Sequence, residues 1–216
     1  DGDVSRNCCG SDYWISKVDS IGNLLWEKSF GGSEDDDAHS FDLTNDHGYI
    51  LSAFTNSNDS DVTKNNGQAD IWIVKLDSVG NLQWRRSLGG SEIDAGYSIK
   101  QTFDGGYITC GLSASNDSDV SGNHGFNDAW VVKIDNSGNI EWQESLGGPE
   151  EEYAACIRQT SDSGYVVACS SDGDGGNVSG NHLHEDYWIV KLGNKPGNAV
   201  RLVKNVSNIL TNFPNP

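Results

Sequence analysis

The sequence predicts an all-β fold of tandem four-stranded antiparallel units, and three observations predict it. All seven tryptophans lie on one ruler: Trp14, Trp72, Trp130 and Trp188 are 58 residues apart, and Trp26, Trp84 and Trp142 keep the same interval. The glycine frame repeats with them, at Gly31-Gly32, Gly89-Gly90 and Gly147-Gly148 and again at Gly48-Tyr49, Gly106-Tyr107 and Gly164-Tyr165. No helical period or capping box interrupts this pattern. Residues 59–116 and 117–174 match at 26 of 58 positions without an insertion. A fixed period of this length is one supersecondary unit copied in tandem, because neighbours bury the face a single unit leaves open.

The elements follow from residues 128–174. Asp128 to Asp135 is β-branched, aromatic and apolar on both faces, as a strand buried between two layers must be. Asn136-Ser137-Gly138-Asn139 is a turn by composition. Ile140 to Leu146 places apolar residues at Ile140, Trp142 and Leu146, which predicts a half-exposed peripheral strand ended by Gly147-Gly148. A strand over Tyr153 to Thr160, a tight turn at Ser161-Asp162-Ser163-Gly164, and a small apolar strand over Tyr165 to Cys169 complete the unit. Four antiparallel strands with glycine-rich turns are the pattern of a propeller blade. The expected architecture is therefore β-propeller-type over residues 1–193, with units 1–58, 59–116 and 117–174 and a partial unit 175–193. Residues 194–216 read as a linker and tail. Three full repeats and one extra strand, Tyr187 to Leu192, close poorly against the four to eight blades usual for propellers. A longer parent protein, a last blade finished by Ala199 to Lys204, and association of copies through unpaired edges each satisfy this, and the first is expected.

The line Gly-Tyr-(Ile/Val), Asp-x-Trp-(Ile/Val)-Val-Lys-(Leu/Ile), Gly-Asn-(Leu/Ile)-x-Trp, Ser-(Leu/Phe)-Gly-Gly resembles the roughly 60-residue propeller repeats of proteins secreted by gliding Gram-negative bacteria. The terminal Phe213-Pro214-Asn215-Pro216 resembles the opening of the C-terminal sorting domain of type IX secretion cargo. The resemblance implies a secreted or cell-surface location and the type IX secretion machinery as a partner. It also implies O-glycosylation at Ser20 and Ser78, within Asp19-Ser20-Ile21 and Asp77-Ser78-Val79; a plain turn serine is the alternative at each.

Composition narrows the function classes. Asp and Glu number 32 against 14 Lys and Arg, for a net charge of −18. Such a chain repels phosphate backbones and anionic lipid surfaces, so neither nucleic-acid binding nor membrane insertion is expected. No apolar run reaches spanning length. Cations are its natural partners.

The loop before each tryptophan strand is the leading candidate site. Asp117, Asp119, Ser121, Asn123 and Asp128 place oxygen donors with the spacing of an EF-hand calcium loop, with Gly122 at the turn position. Related sets are Asp1, Asp3, Ser5 and Asp12; Asp59, Asp61, Thr63 and Asp70; and Asn177, Ser179 and Asp186. Either the loops hold structural calcium (Ca2+), or they are polar loops whose side chains cap their own backbone. The acids after each Gly-Gly (Glu34 and Asp36, Glu92 and Asp94, Glu150 and Glu152) read as solvated turn charges. Paired carboxylates suit glycoside hydrolysis, yet a catalytic pair occurs once and these recur in every unit. Counting back from Thr160 opposite Tyr165 sets Cys156 opposite Cys169, in reach of a cross-strand disulfide; two small buried thiols are the alternative. No HExxH, GxSxG or Walker motif occurs.

The expectation is a non-catalytic secreted or cell-surface repeat protein: a structural, adhesive or assembly module, contacting surface glycans or proteins or its own copies through open blade edges. The alternative is a carbohydrate- or protein-binding accessory module of a larger exported enzyme.

Overall fold

A computed structural model describes residues 10–182 and 184–194 and the backbone of 201–202. Fourteen strands follow one another, with no helix among the described residues. They are β1 (Tyr13–Val18), β2 (Leu24–Phe30), β3 (Asp36–Leu43), β4 (Tyr49–Thr55), β5 (Asp70–Leu76), β6 (Leu82–Leu88) and β7 (Asp94–Gln101). Then come β8 (Tyr107–Ser113), β9 (Asp128–Ile134), β10 (Ile140–Leu146), β11 (Glu152–Gln159), β12 (Tyr165–Ser171), β13 (Asp186–Leu192) and β14 (Arg201–Leu202).

The all-β expectation holds, and so does the antiparallel four-stranded unit. Hydrogen bonding groups the strands as β3-β4-β5-β6, β7-β8-β9-β10 and β11-β12-β13-β14, preceded by the two-stranded β1-β2. Each sheet takes its first two strands from the end of one 58-residue period and its last two from the start of the next. Among the described residues the sheets form an open series rather than a closed ring.

Local sequence explains the hairpins. In the turn between the last two strands of a sheet, Asp77 Oδ1 accepts the N–H groups of Val79 and Asn81 at 2.9 and 2.8 Å, and Asp135 does the same for Ser137 and Asn139. An aspartate that caps its own turn fixes the reversal. Gly80, at φ +82°, supplies the left-handed residue such a turn needs. The first hairpin of each sheet carries one bulge at an equivalent place: Ala38/Ser40, Gly96/Ser98 and Ala154/Cys156.

Strands β5 and β9 are buried along their whole length, while β10 is half exposed, as its imperfect alternation predicts. Three apolar clusters fill the spaces between consecutive sheets. One joins Tyr13 and Phe30 to Leu51, Trp72 and Val74; the next joins Ile50, Ile71 and Leu88 to Ile99 and Trp130; the last joins Ile108, Val131 and Leu146 to Ile157 and Trp188. Each fully buried aliphatic side chain contributes about 1.5–3 kcal/mol relative to exposure. Trp72, Trp130 and Trp188 thus mark the residue that each four-stranded sheet plugs into the sheet before it.

The register corrects the cysteine expectation. Gln159, not Thr160, faces Tyr165, and the bulge then shifts the count again, so Cys156 pairs with Ala168 and Cys169 with Ala154. Cys169 is buried and Cys156 exposed, and both thiols are free, as is buried Cys110. A slip of one residue moves a side chain to the other face of the sheet, which removes the disulfide geometry.

Candidate functional site: paired carboxylates at the sheet junctions

Consecutive sheets meet where the first residue of an inner strand is an acid. Asp36, Asp94 and Glu152 open β3, β7 and β11 and are fully buried. The backbone places them: Asp94 N–H donates to Ala69 O at 2.7 Å, with equivalent bonds from Asp36 to Ser11 and from Glu152 to Asn127. Their burial corrects the reading of these acids as solvated turn charges. Glu34, Glu92 and Glu150, two residues earlier, are the exposed ones.

A second acid, at the start of the tryptophan strand, faces each of these across the Gly-Gly pair. A Cβ built on Gly89 would lie 2.5 Å from Asp70 Oδ1 and 2.5 Å from Asp94 Oδ2. At Gly147 the corresponding oxygens are Asp128 Oδ1 at 2.6 Å and Glu152 Oε2 at 2.5 Å, and at Gly31 they belong to Asp12 and Asp36. A Cβ there would force the carboxylates apart, so the pairs close up only over glycine.

The partners differ from junction to junction. Asp94 Oδ2 accepts from Gly90 N–H at 2.7 Å and Ser115 Oγ at 2.9 Å. Asp70 Oδ2 accepts from Asn66 N–H at 2.8 Å, while buried Asp70 Oδ1 has no hydrogen-bond partner. In the next unit His124 stands where Asn66 does, and its Nδ1 lies 2.6 Å from Asp128 Oδ2. Burial, then the Asp94 charge, push the Asp70 carboxyl up to about 7 against the pull of the Asn66 N–H. Burial also raises Asp94, against hydrogen bonds from Ser113, Gly90 and Ser115. Burial raises Asp128, with His124 acting the other way, and raises Glu152. Two carboxyls converging in a dry junction favour the protonated form of one of them.

The predicted calcium donors are spread over separate partners. Asp117 Oδ1 accepts from Ser91 N–H at 2.8 Å, Ser121 Oγ from Gln143 Nε2 at 2.6 Å, and Asn123 Oδ1 from Gly125 N–H at 2.9 Å. Asp119 meets the neighbouring loop through its backbone N–H, on Gly89 O. In the second copy Asp59 accepts from Ser33 N–H, Asp61 pairs with Arg85 at 3.2 Å, Thr63 is exposed, and Asp70 turns to the junction. In the fourth, Asn177 accepts from Gly147 N–H, Ser179 is exposed and Asp186 pairs with His182. Asp1, Asp3 and Ser5 lie outside the described residues; Asp12 sits beside Gly31. Among the described residues no three His, Cys, Asp or Glu side chains come together to hold a metal.

What anchors these loops is a residue that sequence reasoning passed over. Val62, Val120 and Val178, in the fourth loop position, are buried in the three apolar clusters. The Asp before each valine, or Asn177 in the last loop, ties the loop to the preceding Gly-Gly backbone and the valine plugs it. Ser20 and Ser78 stand exposed at turn tips; Phe213 to Pro216 lie outside the described residues.

No family model matches the chain. A stretch of 101 residues is 28% identical to the regulatory protein FlaEY of Caulobacter vibrioides, covering 42% of this chain and 10% of that protein. The chain thus spans a tenth of the length of this curated relative.

Proposed function

We propose that this chain is a β-propeller-type repeat module with no catalytic activity of its own, exported to the cell surface or medium and serving a structural, adhesive or assembly role. One observation carries the reading: the junction carboxyl pairs recur at three places, and Asp36, Asp70, Asp94, Asp128 and Glu152 in them are buried. A catalytic pair needs access and occurs once; these pairs recur at successive sheet junctions. Export through the type IX machinery rests on the Phe213–Pro216 motif, with glycans on Ser20 and Ser78 and surface glycans or proteins as contacts belonging to the same reading. The test is a hydrolase screen with chromogenic glycosides and peptides on the wild type and on Asp36→Asn, Asp94→Asn and Glu152→Gln. No turnover in any is expected. Turnover in the wild type that one substitution abolishes and the other two spare would overturn it.

A second reading, a carbohydrate- or protein-binding accessory module of a larger exported enzyme, is favoured by the matched stretch covering only 10% of the relative.

A further inference from the structure

We propose that the middle junction, where the sheet of β3 to β6 meets that of β7 to β10, binds one monovalent alkali-metal cation between the Asp70 and Asp94 carboxyls over Gly89. Both faces of this junction lie inside the chain, so its burial does not depend on either end.

The first observation is an acceptor with nothing on it. Asp70 and Asp94 are both fully buried. Asp94 Oδ2 accepts from the Gly90 N–H and the Ser115 hydroxyl, and Asp70 Oδ2 from the Asn66 N–H, but Asp70 Oδ1 has no hydrogen-bond partner. That oxygen is aimed at the pair. It and Asp94 Oδ2 each lie 2.5 Å from one point, the place of a Cβ on Gly89, so they stand at most twice that distance apart. Glycine keeps side-chain atoms out of the gap. A buried carboxylate is paired, or it coordinates a metal.

The second observation comes from comparing equivalent junctions. At the first, the loop acid Asp61 pairs with Arg85 at 3.2 Å. At the third, His124 Nδ1 lies 2.6 Å from Asp128 Oδ2, and Asn177 replaces the loop acid. The middle junction has neither arrangement. Asn66 stands at the place of His124, and its side-chain amide donates to Gly89 O; Gln143 stands at the place of Arg85 and bonds to Ser121 and Trp130. Asp119 retains the loop acid, and its charge acts on Asp70. Lys64 acts on Asp70 in the favourable sense, but from an exposed position and more weakly than Asp94 or Asp119.

The donors set the class of ion. Carboxylate oxygens suit hard cations rather than copper or zinc. Calcium takes about six to eight oxygen ligands, and among the described residues no three acids converge to hold a metal. What the pair lacks is one positive charge at Asp70 Oδ1, and a monovalent ion supplies it. A proton on Asp70 excludes that ion, so the test is run at pH 8.

The experiment compares thermal midpoints of the full chain in sodium chloride and in choline chloride at equal concentration, which separates binding from screening of the acidic chain. A ligand bound only by the folded state raises the midpoint. Expected is a midpoint higher in sodium by about 2–4 °C, an excess absent in Asp70→Asn, reduced in Asp119→Asn and retained in Glu152→Gln at the third junction. Sodium NMR reads binding directly: the chain should broaden the sodium line, and Asp70→Asn should abolish the broadening. Equal midpoints in the two salts would overturn the proposal, as would a sodium-specific rise or broadening that survives Asp70→Asn. Stabilisation by calcium that Asp70→Asn removes would overturn the monovalent class. None of these readouts depends on catalysis or export, so failure here leaves the proposed function standing.

Discussion

Asp70 Oδ1 and Asp94 Oδ2 converge on the backbone of Gly89 from opposite sides of a sheet junction, each within 2.5 Å of where a Cβ would stand. Neither carboxyl has a basic side chain among its hydrogen-bond partners. Holding both ionised there is costly, so folding and proton binding are linked.

The Asp70 carboxyl is pushed up to about 7 by burial and by Asp94, against about 3.9 in an unfolded chain. The folded state holds this proton more tightly. Its contribution is fully present below about pH 4 and is lost as pH rises towards 7. Asp70→Asn removes the titration and leaves an amide for Asp94. The variant should match the wild type near pH 4 and exceed it at pH 8 by roughly 2–4 kcal/mol, read from denaturant melts at both values. Parallel pH profiles for the two proteins would refute the linkage.

The cysteines separate by accessibility. Burial raises the Cys110 thiol well above its usual range and pushes Cys169 up to about 12, with Glu152 adding to the latter. Buried, protonated thiols react slowly. Maleimide at neutral pH should modify Cys156 within minutes and leave Cys110 and Cys169 until denaturant is added, as mapped by mass spectrometry. Recovery of a Cys156–Cys169 disulfide from native protein would contradict the register.

The loops should depend on valine more than on metal. Val120 is 2% exposed in the middle cluster, so Val120→Ala should cost about 1–3 kcal/mol. Chelator should leave the melting midpoint of the wild type unchanged. A midpoint that falls with EGTA and recovers with calcium would instead support the EF-hand-like reading of Asp117 to Asp128.

Much of this fold was legible, and the illegible part has a physical cause. The strand predicted over Asp128 to Asp135 is β9, and that over Ile140 to Leu146 is β10 to the residue, because β-branched runs and turn aspartates act locally. The grouping of strands across periods was not legible, since pairing partners are set by packing. The buried acids misled because Asp and Glu are rarely buried. Repetition does not separate Asp94 from exposed Glu92; both recur in every unit. Only the backbone bond from Asp94 N–H to Ala69 O tells which one turns inward. The valine plugs were concealed by the polar residues around them.

The lysine–aspartate pairs set the acid limb of stability. Asp46 is lowered to about 2: partial burial opposes this, and the hydrogen bonds from Lys75, Thr44 and Gly48 outweigh it. Asp104 is lowered likewise, against its burial, by Thr102, Gly106 and Lys133. Depressed carboxyls stabilise the fold above about pH 4, and that contribution is lost as pH falls towards 2. Asp70, Asp94, Asp128 and Glu152 act in the opposite sense above pH 4, and self-repulsion from the net charge of −18 adds to them at neutral pH. The two limbs cross near pH 4–5, so the stability maximum should lie there, below the common range of about 5–8. Melting midpoints from pH 2 to 9 test this. Asp46→Asn should flatten only the acid limb and Asp70→Asn only the other; a maximum at pH 7 or above in the wild type would show that the buried junctions do not govern the profile.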